Sequence, residues 1–361
     1  MARGLLLLTV TALFGCQPDM DEMMNGGPMD GGPMDASVPV DMSPAEVDVY
    51  VPTPAPMGAL RVNHLQMRGT VDSYHTVDDL TCCGDAWDFV HPSLDVQARE
   101  QGIRMFDFDI KADRGGSHAL HPSATDHPRD VLNHCGDLLS CLWGIRDWLN
   151  ARPDSALTVV FIGEAFLELT TPGLHFQLDD VEESALLALG RGRIISPADM
   201  RGEHPSLRAM IAADGWPSVA STRGKVMFVL NERGLAREMY FERGGEDPED
   251  RLLFLIGDPE AVDGPGAQDD VVYTFDPRER WVYETDPASL ARMTALAEAG
   301  FLVHGISDDA AMIDRMRAAG AHMIGTRFPE RLGPIPRLGP TVCNPVTAPI
   351  DCEPAQIEPI D

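Results

Sequence analysis

The sequence predicts an α/β protein, a closed (β/α)8 barrel set behind a non-globular N-terminal tether, and three observations carry that reading. Short apolar runs alternate with amphipathic stretches from about residue 60 onward, as strands alternate with helices around a parallel sheet. About eight such runs fall within residues 59–361, a length ordinary for one barrel domain. No Gly-x-Gly-x-x-Gly opens a helix after a strand, so the main signature of an open doubly wound sheet is missing. A TIM-type barrel is therefore preferred to the open sheet.

In chain order, the N-terminus reads first as an address. Arg3 precedes a largely apolar run at 5–14, which ends Leu13-Phe14-Gly15-Cys16. Ten residues cannot span a bilayer core, which needs about 20, but they suit the apolar region of an export signal. The ending resembles a bacterial lipobox, with a small residue directly before the cysteine. That resemblance implies a signal peptide at 1–15, cleavage before Cys16, lipidation of its thiol and anchoring in a membrane. Gln17 stands where inner-membrane retention is associated with aspartate, which favours the outer membrane or cell surface. An ordinary secretory signal is the alternative.

Residues 16–58 form the expected tether. Between 17 and 58 there are eight Pro, seven Met and eight Asp or Glu, with no Lys or Arg and a tandem Gly-Gly-Pro-Met-Asp repeat at 26–30 and 31–35. Such a stretch buries too little apolar surface to recover its ordering entropy, and it reads as a flexible spacer.

The domain at 59–361 carries strand candidates at 62–67, 103–110, 157–162, 225–231, 251–256, 271–275, 301–306 and 322–326. Helical stretches fall at 92–101, 129–150, 179–189, 205–213, 287–298 and 308–319. Asp286 and Ser307 precede the last two as candidate caps, and Gly300 and Gly320 close them. With Cys16 assigned to lipid, six cysteines remain in an exported chain, which points to disulfides. Cys135–Cys141 and Cys343–Cys352 are the favoured local pairs, and Cys82 and Cys83 are left open.

The chain has 57 Asp plus Glu against 28 Lys plus Arg, a formal charge of −29. Nucleic acid is excluded as a partner, since nothing here neutralises a row of phosphates. In a (β/α)8 barrel the chemistry sits at the C-terminal ends of strands. The first strand leads to Gly69-Thr70-Val71-Asp72-Ser73-Tyr74-His75, and the second ends Phe106-Asp107-Phe108-Asp109, with carboxylates at i and i+2 on one face. A further strand leads to His121, and another ends Ile162-Gly163-Glu164. Carboxylates converging at a barrel mouth describe an oxygen-rich site for Ca²⁺ or Mg²⁺, and a cation beside a histidine suits phosphodiester chemistry. The competing reading makes Asp107 and Asp109 a hydrogen-bonded brace and His121 an ordinary loop residue. The acidic stretch 258–270 lacks EF-hand order and reads as a solvated loop, and Trp216 and Trp281 read as packing residues.

These residues resemble the calcium-dependent, secreted bacterial branch of the phosphatidylinositol-specific phospholipases C, among the phospholipase C-like phosphodiesterases. The likeness runs over about 60–352. It rests on Gly-Thr-Val-Asp-Ser-Tyr-His at 69–75, Phe-Asp-Phe-Asp at 106–109 and the stretch from Cys135 to Trp148. Gly-Trp-Pro-Ser at 215–218, Arg-Gly-Lys-Val at 223–226, Gly-Ala-His-Met-Ile at 320–324 and Cys-Asn-Pro-Val at 343–346 extend it. The resemblance implies a Ca²⁺ cofactor, with Mg²⁺ as the alternative. It also implies a phosphoinositide or other phosphodiester head group as substrate, and attack by the inositol 2-hydroxyl on phosphorus with the glycerol oxygen leaving. It assigns metal ligation to Asp72, Asp107, Asp109 and Glu164, and the catalytic imidazole to His121.

The sequence also departs from the family pattern. Val71 stands where the family has its first catalytic His, Asp72 where it has Asn, and Asp107 where it has Glu. On the strand ending at 164 the family's Glu and Lys align with Gly163 and Ala165, and Glu164 is one residue out of register. His304 and Gly305 occupy positions where the family often carries Arg and Thr. Two functions follow: a divalent-cation-dependent phosphodiesterase with a weakened acid–base pair, or a non-catalytic barrel that binds a polar head group or partner at the cell surface.

Overall fold

A computed structural model describes residues 58–76, 89–112, 118–120, 133–164, 177–233, 237, 240, 251–264, 267–276, 287–336 and 339–358. The signal, the tether, Cys16, Cys82, Cys83, His121, Asp286 and Trp281 lie outside them. Eleven strands are described: β1 (Leu65–Thr70), β2 (Ile103–Ala112), β3 (His118–Leu120), β4 (Thr158–Glu164), β5 (Ile194–Ile195), β6 (Val226–Leu230), β7 (Leu253–Gly257), β8 (Val272–Phe275), β9 (Leu302–Ile306), β10 (Met323–Thr326) and β11 (Val342–Cys343). Eight of them, β1, β2, β4, β6, β7, β8, β9 and β10, pair parallel in that order, and β10 returns to β1. The sheet is closed, as expected from the sequence. Parallel neighbours need crossovers, and helices such as α1 (Leu94–Glu100), α2 (Leu138–Ala151) and α3 (Gln177–Leu189) supply them.

Two cores result from the alternation of side chains along each strand. Leu65, Met105, Phe161, Val229, Phe254 and Met323 fill the barrel interior. Phe106, Phe108, Val160, Phe228 and Leu230 face outward and pack with α2 residues Leu142, Ile145 and Leu149.

Several boundaries differ from expectation. The first strand begins at Leu65 because 62–64 forms a 3-10 turn that His64 helps to cap: its Nδ1 accepts from the Arg61 N–H at 3.1 Å. The strand leading to His121 is not a barrel stave; β3 is a short antiparallel arm on the end of β2 (Ile110↔Leu120, Ala112↔His118). The helix expected from 129 begins at Leu138 in the described residues, where the Asp137 side chain caps the Ser140 N–H at 2.7 Å. The helix Ala310–Ala318 is capped by Asp309 rather than Ser307, its carboxylate accepting from Met312 N–H at 2.7 Å. Both Cys135–Cys141 and Cys343–Cys352 are disulfides, and Trp216 is a buried packing residue whose indole N–H donates to Gly300 O at 2.7 Å.

The C-terminal tail is pinned to the barrel by a buried ion pair. Arg104 donates to Glu358 at 2.5 and 3.1 Å, and its guanidinium lies 4.6 Å from the Trp148 ring centroid. Both side chains are almost wholly buried. Removing one partner of such a pair strands a charge in the interior and costs about 3–5 kcal/mol. Glu358→Ala is expected to lose that much stability in urea denaturation; a loss below 1 kcal/mol would mean the tail is not held this way.

Candidate functional site

The alternation that separates the two cores also fixes what faces the mouth of the barrel. Met105 is an interior residue, so Asp107 and Asp109 are the next two inward positions of β2 toward its C-terminal end. By the same count Gly163 follows Phe161 on β4, and Asn231 follows Val229 past the end of β6. The register agrees: Asp107 pairs with Phe161 and Asp109 with Gly163. Asp107 is 3% exposed, which places one aspartate inside the barrel and the other nearer its rim.

The end of β1 is clasped against this strand. Ser73 N–H donates to Asp107 O at 3.0 Å, and Ser73 Oγ accepts from Asp107 N–H at 2.9 Å. Thr70 Oγ1 lies 2.9 Å from Ser73 Oγ and donates to Gln97 Oε1 at 2.7 Å, while Gln97 Nε2 donates to Ser73 O at 2.7 Å. Asp72 sits inside this turn with φ +51°, the left-handed region that aspartate tolerates better than most residues. The segment is therefore a fixed polar corner on the Asp107 backbone.

Val71 is fully buried and held at both backbone atoms: its N–H donates to Thr326 O at 3.1 Å and its carbonyl is 2.9 Å from His91 Nε2. Its side chain faces the interior. A Cβ built on Gly325 would lie 2.9 Å from Val71 Cγ2, 3.0 Å from Met105 Cε and 3.2 Å from His304 Nε2. His304 therefore lies in the same interior layer. Its ring is 4.2 Å from that of Phe161, and its Nδ1 is 3.4 Å from Thr274 Oγ1. At the ends of β9 and β10, Asp308 accepts from Thr326 Oγ1 at 3.0 Å and from Arg327 N and Nε at 2.9 and 2.7 Å. Burial opposes ionisation of Asp308, but those donors hold its pKa below the usual carboxylate value.

Of the expected site residues, Asp107 and Asp109 share the inward face of β2, and Asp72 lies in the turn that Ser73 ties to the Asp107 backbone. His121 lies outside the described residues. The β2–β4 pairing runs unbroken to Ile110↔Glu164, so no bulge corrects the register of Glu164. Sequence reasoning missed Asn231 and Glu232 at the mouth and read His304 only as a departure from the family pattern; strand alternation from Met227 and Leu302 was the available signal for Asn231 and His304, and Glu232 had none. In the acidic stretch 258–270, Asp258, Glu260 and Asp263 are exposed, as a solvated loop requires, while its last two acids are structural: Asp269 accepts from Leu207 N–H at 2.7 Å and Asp270 pairs with Arg237 at 2.6 Å.

The donor set fits a hard divalent cation. A Cβ at Gly163 would stand 2.3 Å from Asp109 Oδ1, so the carboxylate occupies the space a side chain there would fill. Carboxylate and amide oxygens are the donors that Ca²⁺ and Mg²⁺ prefer. Among the described residues, no three His, Cys, Asp or Glu side chains form a preassembled cage.

Comparison with known proteins places this geometry. A family model described as phosphoinositide phospholipase C, Ca²⁺-dependent, matches residues 127–337, more than half of the chain. The matched segment begins beyond Val71, Asp72, Asp107 and Asp109, so their place in the site rests on strand position. A Ca²⁺-dependent phosphatidylinositol-specific phospholipase C from Streptomyces antibioticus superposes with a TM-score of 0.53 at 16% identity, covering 76% of this chain and 98% of that one. The calcium-dependent phosphoinositol-specific phospholipase C of a Gram-negative Pseudomonas species gives 0.54 at 12%, covering 83% and 100%. At such identities the two structures speak for the barrel alone. No curated protein sequence matches this one. Fold and family model agree, and the chain belongs to the Ca²⁺-dependent phosphoinositide phospholipase C family.

Proposed function

We propose that this chain is an exported, lipid-anchored phosphodiesterase that acts on a phosphoinositide or related head group with a divalent cation and a weakened acid–base pair. The observation that carries the reading is the placement of Asp107 and Asp109 on successive inward positions of β2, with the turn that contains Asp72 tied through Ser73 to the Asp107 backbone. Asp72, Asp107 and Asp109 would hold the cation, while Glu164, expected as a fourth ligand, falls on the other parity of β4. Ca²⁺, or Mg²⁺ in its place, would supply charge stabilisation at the phosphoryl oxygens. His121 would exchange a proton with the reacting oxygen on one side of the phosphorus. On the other side Val71 offers no atom that donates, accepts or ligates. Lipidated Cys16 and the 16–58 tether would hold the barrel at the surface, and the chain's negative charge would disfavour flat docking on an anionic bilayer unless cations bridge the two.

The test is release of inositol phosphate from phosphatidylinositol by the purified protein, with Ca²⁺ and then with chelator. Slow release is expected, lost with chelator and lost again in His121→Ala, where removal of an acid–base group costs about 10²–10⁴ in rate. Release that ignores the chelator would overturn the reading. The fully buried valine at position 71 favours a second one, a non-catalytic barrel that binds a head group; it predicts Ca²⁺ binding with no turnover at any enzyme concentration.

A further inference from the structure

Strand β4 has no side chain at the position where a carboxylate would face the mouth, and the neighbouring strand fills the gap. A Cβ built on Gly163 would lie 2.3 Å from Asp109 Oδ1 and 3.9 Å from Glu232 Oε1. Asp109 arrives from β2 and Glu232 from just past β6, on opposite sides of β4. Their two oxygens can be no farther apart than those distances laid end to end. Carboxylate oxygens from two strands thus share the small volume over Gly163, and such oxygens are donors a hard divalent cation takes.

A second, independent observation comes from Asn231. Its backbone N–H donates to Ile162 O at 2.8 Å, which fixes it level with Gly163. Alternation from Met227 and Val229, both interior residues, turns its side chain into the barrel. The residue is 6% exposed, and its Oδ1 is buried with no hydrogen-bond partner. A buried amide oxygen left without a donor is a standing cost in a folded protein. A hard cation would satisfy it, since Ca²⁺ and Mg²⁺ take amide and carboxylate oxygens alike.

We propose that Glu232 and the Asn231 side-chain oxygen complete a divalent-cation site with Asp109, one strand away from the position that Gly163 leaves without a donor. The ligand class is a hard divalent cation, Ca²⁺ or Mg²⁺, held by oxygen alone. Glycine at 163 is then a requirement of the site, because any side chain there collides with the Asp109 carboxylate. The inference rests on the cation-dependent reading above and changes which residues form its ligand set.

Calorimetric titration of the purified protein with Ca²⁺, and its thermal unfolding with Ca²⁺ or chelator, test it without reference to turnover. Glu232→Gln is expected to weaken Ca²⁺ binding at least tenfold and to abolish most of the Ca²⁺-induced rise in Tm. Glu232→Asp, which keeps the charge, should recover part of the affinity, and Gly163→Ala should weaken binding as Asp109→Asn does. Wild-type affinity in Glu232→Gln, with binding lost in Asp109→Asn, would overturn the proposal and leave the cation-dependent reading standing. No Ca²⁺ binding by the unaltered protein would overturn both.

Discussion

Val71→His is expected to raise Ca²⁺-dependent release of inositol phosphate by about 10²-fold or more, the value of one positioned acid–base group at the low end of its range. The backbone at this position needs no rebuilding. Its N–H and carbonyl are already bonded to Thr326 and His91, and its side chain already faces the interior layer that holds His304. The gain should come with a loss of stability, because the site is fully buried and its side chain lies so close to Gly325 that a Cβ there would be 2.9 Å from it. Forcing a larger group into such a site costs about 1–3 kcal/mol. Opposite signs in the two measurements separate restored chemistry from a general improvement in folding. Burial disfavours the charged form of an imidazole placed there, so the activity it supports as a base should persist at pH values below the ordinary histidine pKa. No gain in rate, with Ca²⁺ binding intact, would show that Val71 is not what limits turnover.

The barrel was legible because its cause is local. Eight apolar runs of the right length, separated by amphipathic stretches, became the eight parallel staves within a few residues of where the pattern placed them. Strand parity likewise put Asp107 and Asp109 on one face before any coordinates. What the sequence hid depends on distance between strands. Asn231 and Glu232 look like the polar end of a strand, and only the pairing of β4 with β6 brings them over Gly163. His304 looked like a substitution on a distant strand, yet closure of the sheet sets its ring against Phe161. The further strand leading to His121 is present, but three residues, His118 to Leu120, carry no periodicity that tells an antiparallel arm from a stave.

Acid should unfold this protein well before its carboxylates titrate. Burial of His91 lowers its pKa from 6.5 to about 4; the Val71 carbonyl opposes this, and His75 and His134 reinforce it. Burial of His322 likewise lowers its pKa to about 4, against the opposing bond to the Asn63 carbonyl. His322 shows why the neutral ring is required: Nδ1 accepts from Val303 N–H at 3.0 Å while Nε2 donates to Asn63 O at 2.9 Å. A proton on Nδ1 would destroy the first of those bonds. Between pH 6.5 and 4 the unfolded chain binds protons at these two sites that the folded chain refuses. Their contribution to stability is therefore complete above pH 6.5 and falls by about 1.4 kcal/mol per pH unit per site as the pH drops toward 4. Asp308, with its lowered pKa, gives way only below the ordinary carboxylate value. Asp270, whose pKa burial raises despite its Arg237 partner, acts with the opposite sign. Urea denaturation at pH 7.5, 5.5 and 4.5 is expected to show a loss of several kcal/mol, and His322→Gln should remove about half of the slope. A stability that stays level from pH 7.5 to 4.5 would mean that these rings can be protonated in place. His322 lies at the entry of β10 and His91 bonds the carbonyl of Val71 at the exit of β1, so acid would loosen the barrel at both ends, and cation affinity should fall together with stability.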